Sequence, residues 1–405
     1  MAGEAGSGEA GSGKAGSGKG QASPIRRRRV LFISGFDPRG PRHYHQLWRE
    51  EAEKVGAVTL GPRRARGEAV VEWTMSAGEV ETRFDFLRWD DVARSLWPKP
   101  GWGFVRDMLR TVWRGLRIGY FRRVARVRPV YLLTIMQPVA LVLAAMLGLM
   151  ALAAGLAAYS LALAGLSPRW ALALAPLGLL ALPLVLRAME KGTVLWRAEL
   201  NRYIGDFIFG EDRLMQARID RFAELIAEAV AGGDEDEILV VGHSVGTVVA
   251  VAALGRAIQS RPQAFAGRTG IGLVTLGAMT PALAVEPRAD WFRAAVAAIA
   301  LHPTIHWLDC SAPYDVFSFE RVDPLAAAGQ ERAAGARHNP VLVTPRYHTL
   351  YDAAEYRILR RDPARMHTQY LLTTPKPGRC DFFALVVGAE ALNHRFPEFD
   401  KRQRR

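Results

Sequence analysis

The sequence predicts an α/β domain, a mostly parallel sheet with helices on both faces, into which a transmembrane helical hairpin is inserted. Three observations carry that expectation. Short, β-rich apolar runs alternate along the chain with stretches of helical periodicity. Such alternation implies parallel strands covered on both sides. Between the two halves of this pattern lies a long segment without charge. A chain of 405 residues that is 50% hydrophobic and 23% charged is also too apolar for disorder and too long for a disulfide-stapled mini-domain.

The elements follow in order. Residues 1–24 form a Gly/Ser/Ala repeat that cannot bury a core, so a disordered tail is expected. No apolar run follows Met1, so a cleaved secretory signal is not expected. The first part of the domain is expected over residues 25–102. Val30-Leu31-Phe32-Ile33-Ser34-Gly35 reads as a buried strand, His43 to Lys54 as a polar helix, and Ala69 to Met75 and Thr82 to Trp89 as two more strands.

Residues 103–128 interleave Arg106, Arg110, Arg114, Arg117, Arg122, Arg123, Arg126 and Arg128 with Phe104, Leu109, Val112, Trp113, Leu116 and Phe121. This basic amphipathic pattern suits a helix on an anionic leaflet, and equally a surface helix packed on the domain. Pro129 to Leu166 and Trp170 to Leu186 then carry no charge and are separated by Ser167, Pro168 and Arg169. A spanning helix needs about 20 apolar residues. The sequence therefore predicts two transmembrane helices within 129–188, turning near Ser167. Cations flank the pair, with Arg187, Lys191, Arg197 and Arg202 on the far side and only Arg169 in the turn. The positive-inside rule then places both termini and the domain in the cytoplasm and the turn outside.

The second part of the domain is expected over residues 189–397. Helices are read at Arg213 to Ala231, Gly246 to Ser260 and Trp291 to Ala300, and strands at Glu237 to Val241, Ile271 to Leu276 and Thr304 to Leu308. Residues 398–405 form a basic tail. The formal charge of +13 gathers beside the apolar segment rather than over a binding face, so nucleic acid is not an expected partner. The only cysteines, Cys310 and Cys380, lie far apart without metal-ligand spacing. No disulfide framework and no metal site is expected, and a reducing compartment is the simpler reading.

The sharpest local signal is Gly242-His243-Ser244-Val245-Gly246, set between a hydrophobic strand and an Ala/Val-rich helix. A tight strand-to-helix turn needs small residues two before and two after its apex, here Gly242 and Gly246. It lifts the Ser244 hydroxyl clear of the sheet at a helix N-terminus, where developing negative charge is favoured. A phosphate-binding loop is the competing reading, but no Lys follows and the glycines are too few.

With this elbow the chain resembles the α/β-hydrolase superfamily over roughly residues 29–395, the hairpin excepted. The resemblance implies a serine esterase or lipase-like activity, needing no cofactor. It also implies the order nucleophile, acid, histidine. Asp315, in the loop after the strand around Leu308, is the preferred acid, with Asp309 at the strand end as the alternative. The run His367-Thr368-Gln369-Tyr370-Leu371 looks like the histidine segment of membrane-associated bacterial members, which implies a bacterial inner membrane. His367 is therefore preferred, and His348, after the possible strand Val341 to Thr344, is the alternative. His338 sits in a polar loop, and His302 and His306 lie too early in the order. The oxyanion hole is expected from the N–H groups of Val245 and Phe36, within Gly35-Phe36-Asp37-Pro38-Arg39-Gly40, where Asp37 and Arg39 fix the loop by pairing. His43 and His45 are assigned no role.

The expected function is a membrane-anchored serine hydrolase acting on carboxylic esters or thioesters, lipid-like ones in particular. The alternative is a catalytically silent module tethered to the membrane for partner binding.

Overall fold

The structure, a computed structural model, describes residues 24–97, 99–190, 194–332 and 339–397. The tail at 1–23, Lys191, His338 and the basic tail at 398–405 lie outside the described residues.

The strands are β1 (Arg27–Ile33), β2 (Thr59–Leu60), β3 (Arg64–Ala65), β4 (Val70–Ala77), β5 (Val80–Leu87), β6 (Glu237–His243), β7 (Ile271–Leu276), β8 (Ile305–Cys310) and β9 (Val341–Val343). They form one sheet in the order β2-β4-β5-β1-β6-β7-β8-β9, with β3 also on β4. Strands β1 and β5 to β9 run parallel, while β2, β3 and β4 form an antiparallel edge. The sequence expectation of a mostly parallel sheet needs this one qualification. Its cause is local: β4 and β5 are joined by Gly78-Glu79, and Gly78 takes φ +58°, which a two-residue hairpin turn requires.

Side-chain alternation sorts the two cores. Leu31, Ile33, Ile238, Val240, Ile271, Leu273, Ile305 and Trp307 face one side, under the helices Arg213–Gly232, Val245–Ser260 and Asp290–Ala300. Val30, Phe32, Leu239, Val241, Val274, Leu276, Leu308 and Cys310 face the other, under the helix Gly40–Val55 and short C-terminal helices. Both faces are thus buried, as parallel strands demand.

All helices between Asp90 and Gly232 are inserted after β5 and before β6, the two strands that flank β1 in the sheet. The expected single basic helix over 103–128 is two, Trp102–Arg117 and Tyr120–Val127, because Gly119 adopts φ +70° and turns the chain. These helices pack on the protein through Phe104, Val105, Met108, Tyr120 and Val124, while Trp113 and Leu116 stay exposed.

Two helical segments are long and apolar enough to cross a membrane, Pro129–Leu163 and Pro168–Glu190. Only 11% and 17% of their most apolar stretches are buried. In the first, Tyr131, Ile135, Pro138, Val139 and Val142 are buried; beyond Val142 the side chains are exposed or only partly covered. The second is not a uniform α-helix, since Pro168–Trp170 and Ala175–Ala181 are 3-10. Pro176 has no N–H to continue the α ladder at that point. The two segments touch at Gly178, where any Cβ would run into the Leu149 backbone and the Ala153 side chain.

Candidate active site

The end of β6 and the start of the following helix meet at Ser244, which sits at φ 56° and ψ −128°. This is strained backbone for any residue with a side chain, and it persists only where the surroundings enforce it. The flanking glycines are enforced by contact. A Cβ on Gly242 would lie 2.6 Å from the Gly246 carbonyl oxygen, and one on Gly246 would run into the carbonyls of Ile33 and Ser34. Ser244 N–H donates to the Leu276 carbonyl at 2.9 Å. The Thr247 hydroxyl donates to the Ser244 carbonyl at 2.6 Å and accepts from Met279 N–H at 3.0 Å. The turn is therefore hydrogen-bonded to the end of β7 and the residues after it, and packed through Gly246 against the end of β1.

The structure brings Ser244, His367 and Asp315 into one line. His367 Nε2 lies 2.7 Å from Ser244 Oγ, and its Nδ1 lies 2.9 Å from both Asp315 carboxylate oxygens. His367 comes from the helix Pro363–Thr368, whose start is capped by the Asp362 carboxylate accepting from Arg365 N–H. Asp315 lies beyond β8 and is fully buried. It accepts from Phe317 N–H at 3.0 Å and from the Tyr370 hydroxyl at 2.9 Å. Burial pushes its carboxyl up, but the His367 charge and these donors outweigh it and hold Asp315 below the usual carboxylate range. A hydroxyl, an imidazole and an ionised carboxylate in series can activate an oxygen nucleophile, with the carboxylate fixing the ring's tautomer.

The alternatives from sequence are not brought to this line. Asp309 stands in β8 opposite Thr275, whose hydroxyl donates to it at 2.9 Å, with the Ser311 hydroxyl at 3.2 Å. Burial raises it to about 7, against the effect of those two donors, which makes it a buried structural acid. His348 is exposed and lies beside the Tyr356 ring. The chain turns outward after β9, with Arg346 at φ 51°, and carries His348 with it.

Val245 is the first residue of its helix, so its N–H has no intrahelical acceptor. Among the described residues Phe36 N–H has no acceptor either. Gly35 brings that loop against the nucleophile, since a Cβ there would lie 3.1 Å from Ser244 Cβ. The loop is braced as expected: Arg39 pairs with Asp37 at 2.6 Å and the Tyr44 hydroxyl donates to Asp37 at 3.1 Å. Trp196, from the helix Val194–Ile208, donates to the Phe36 carbonyl at 3.2 Å. His45 lies 2.9 Å from the Gly61 carbonyl, away from the line.

Sequence reasoning missed several participants. Tyr370 holds both the acid and the Ala312 N–H, the latter at 2.7 Å. It follows His367 by three residues, one helical turn, and that spacing was a usable signal. His243 lies with Nε2 2.8 Å from the His367 carbonyl; burial first and the positive His367 second depress it to about 4, so it is neutral at pH 7. Tyr131, Trp196, Leu200, Met279 and Phe317 roof the site, and no local pattern links them. Among the described residues no cluster of His, Cys, Asp and Glu is arranged to hold a metal.

Comparison with known proteins yields no match. No family model, curated protein or solved structure matches this chain. The geometry must therefore speak for itself.

Proposed function

We propose that the chain is a membrane-anchored serine hydrolase of the α/β-hydrolase type, cleaving carboxylic esters or thioesters. The observation that carries this reading is the unbroken Ser244–His367–Asp315 series at 2.7 and 2.9 Å on a strained strand-to-helix turn. Ser244 Oγ attacks the ester carbonyl while His367 Nε2 takes its proton. Asp315 accepts from Nδ1–H and stabilises the imidazolium. The carbonyl oxygen, now negative, rests on the Val245 and Phe36 N–H groups. The intermediate collapses with loss of an alcohol or thiol, which receives the proton from His367. Water then attacks the acyl-serine with His367 as base, releasing the acid and restoring the hydroxyl.

The hairpin supports the anchored part of the reading. A helix of 35 residues is about 52 Å long, well beyond a hydrocarbon core of about 30 Å. Its start lines the site at Tyr131, Thr134 and Ile135 and has buried positions as far as Val142, and the remaining stretch, 143–163, is about 30 Å long at 1.5 Å per residue. One helix thus roofs the active site and then spans the bilayer. Cations at both ends of the pair favour a cytoplasmic domain at a bacterial inner membrane.

The test is covalent. A fluorophosphonate probe should label the full chain on the peptide containing Ser244 and leave Ser244→Ala unlabelled. Ester turnover should fall at least about a thousandfold in that variant. A folded wild-type chain that takes no label would overturn the hydrolase and leave a tethered binding module.

A further inference from the structure

The space beside Ser244 is too small for any ester. It encloses about 10 Å³, roughly the room of a single water. Immediately next to it lies a cavity of about 300 Å³, at the lower end of the range for ligand sites. The two share Tyr131, Ile135 and Asn201 as a common wall, and Asn201 Nδ2 donates to the Ile135 carbonyl across it at 2.7 Å.

We propose that this larger cavity, enclosed by the helices Trp102–Arg117, Tyr120–Val127, Pro129–Leu163 and Val194–Ile208, binds the hydrocarbon chain of the ester whose carbonyl reaches Ser244. The proposal rests on the hydrolase reading and adds the substrate class and its place. Three features carry it. One part of the lining is apolar, with Met108, Val112, Phe121, Met136, Val139 and Ile208 among its walls, and charged side chains line the rest. Its charged lining is balanced: Arg114 pairs with Glu211 at 2.6 Å and Arg202 with Asp206 at 2.9 Å. A neutral chain leaves those pairs intact, whereas a fixed charge would compete with them. Finally, Met136 and Val139 lie on the helix whose continuation beyond Val142 is largely exposed and apolar. A chain leaving a bilayer along that helix reaches the cavity without crossing water, and passing the Ile135–Asn201 wall brings it to the nucleophile.

Gly205 provides the test. It lines the cavity in ordinary backbone conformation, and a Cβ there would meet only Thr111 Cγ2, at 3.6 Å. The helix therefore accepts a side chain at this position, and a larger one fills the space. With full-length protein in lipid nanodiscs, the ratio of p-nitrophenyl dodecanoate to p-nitrophenyl acetate turnover should drop about tenfold or more in Gly205→Phe and hold in Gly205→Ala. Thr111→Phe, filling from the opposite wall, should act in the same direction. An unchanged ratio in both Phe variants overturns the proposal. A second readout does not need catalysis: a dodecanoate ester bearing a terminal diazirine, irradiated with Ser244→Ala, should crosslink to peptides within 102–117 and 194–208. Gly205→Phe should abolish those crosslinks. Crosslinks confined to the exposed positions beyond Val142 overturn the cavity assignment. Crosslinks within the cavity from a wild type that no fluorophosphonate labels would instead sink the hydrolase reading and keep the chain site.

Discussion

Tyr370 shows how one hydroxyl bears on the electrostatics of the Ser244–His367–Asp315 series. It donates to Asp315 and accepts from Ala312 N–H, so it fixes the carboxylate to the loop from which it hangs. Tyr370→Phe removes a charge-assisted hydrogen bond from a buried acid, a loss of about 1.5–3 kcal/mol. Turnover of a p-nitrophenyl ester should fall roughly 10- to 100-fold. Asp315 is held below its ordinary range, and the lost donor was one of the groups holding it there, so its pKa must rise. The carboxylate's contribution to stability and activity is complete above the ordinary value of about 4 and is lost as pH falls through the folded value. The acid limb of the stability profile should therefore move to higher pH in the variant. A profile that only scales down, with the limb unmoved, would show that Tyr370 merely fills space. Ser244, Asp315 and His367, which the proposal makes nucleophile, acid and base, were readable because each carries a local signal: an elbow, a loop after a strand, an order along the chain. Tyr131 and Trp196 were not, because they come from helices that the chain order separates from the sheet.

At the scale of elements, β8 explains how two aspartates six residues apart acquire opposite characters. Asp315 lies past the strand end, where donors converge on it. Asp309 is inside the sheet, opposite Thr275, with hydroxyls for partners and no cation. Its pKa stands at about 7 in the folded chain, against about 3.9 unfolded. The folded state thus binds more protons between those values, and the stability that Asp309 allows is present at low pH and lost as pH rises toward and through about 7. Asp309→Asn keeps the shape without the charge. Its melting temperature should exceed that of the wild type at pH 8, by at most about 4 kcal/mol in stability, and the gap should close toward pH 5. A constant difference across pH would mean that Asp309 titrates alike in the folded and unfolded chain, so that burial does not raise it. The strands with apolar runs, β1 and β4 to β8, were legible from those runs, which in β1 and β6 to β8 reflect burial on both faces. The two-residue strands β2 and β3 have no room for a pattern, and the break at Gly119 is a single positive φ inside a continuous amphipathic repeat.

For the whole molecule, the inserted helices and the catalytic loops are mechanically joined. Arg128, at the entry to the first apolar helix, donates to the Pro313 carbonyl at 3.4 Å and pairs with Glu320 at 3.6 Å, on either side of Asp315. Arg123 pairs with the buried Glu286. In the proposed anchoring, the cations that would bias orientation at a membrane therefore also fasten the apolar pair to the domain, and the two roles must agree in sign. If Arg123 and Arg128 hold the domain, the domain lies on the same side as the positive flank, and the proposed orientation makes that side the cytoplasm. A β-galactosidase fused after Arg405 should then be active and an alkaline phosphatase at the same point inactive. Alkaline phosphatase inserted at Ser167 should be active, since the turn between the apolar segments holds only Arg169 as a cation. Activity of alkaline phosphatase at both points would mean that the apolar pair does not return the chain to its starting side. The reverse of the expected pattern would put the catalytic line outside, and with it the domain that these ion pairs tie to the anchor.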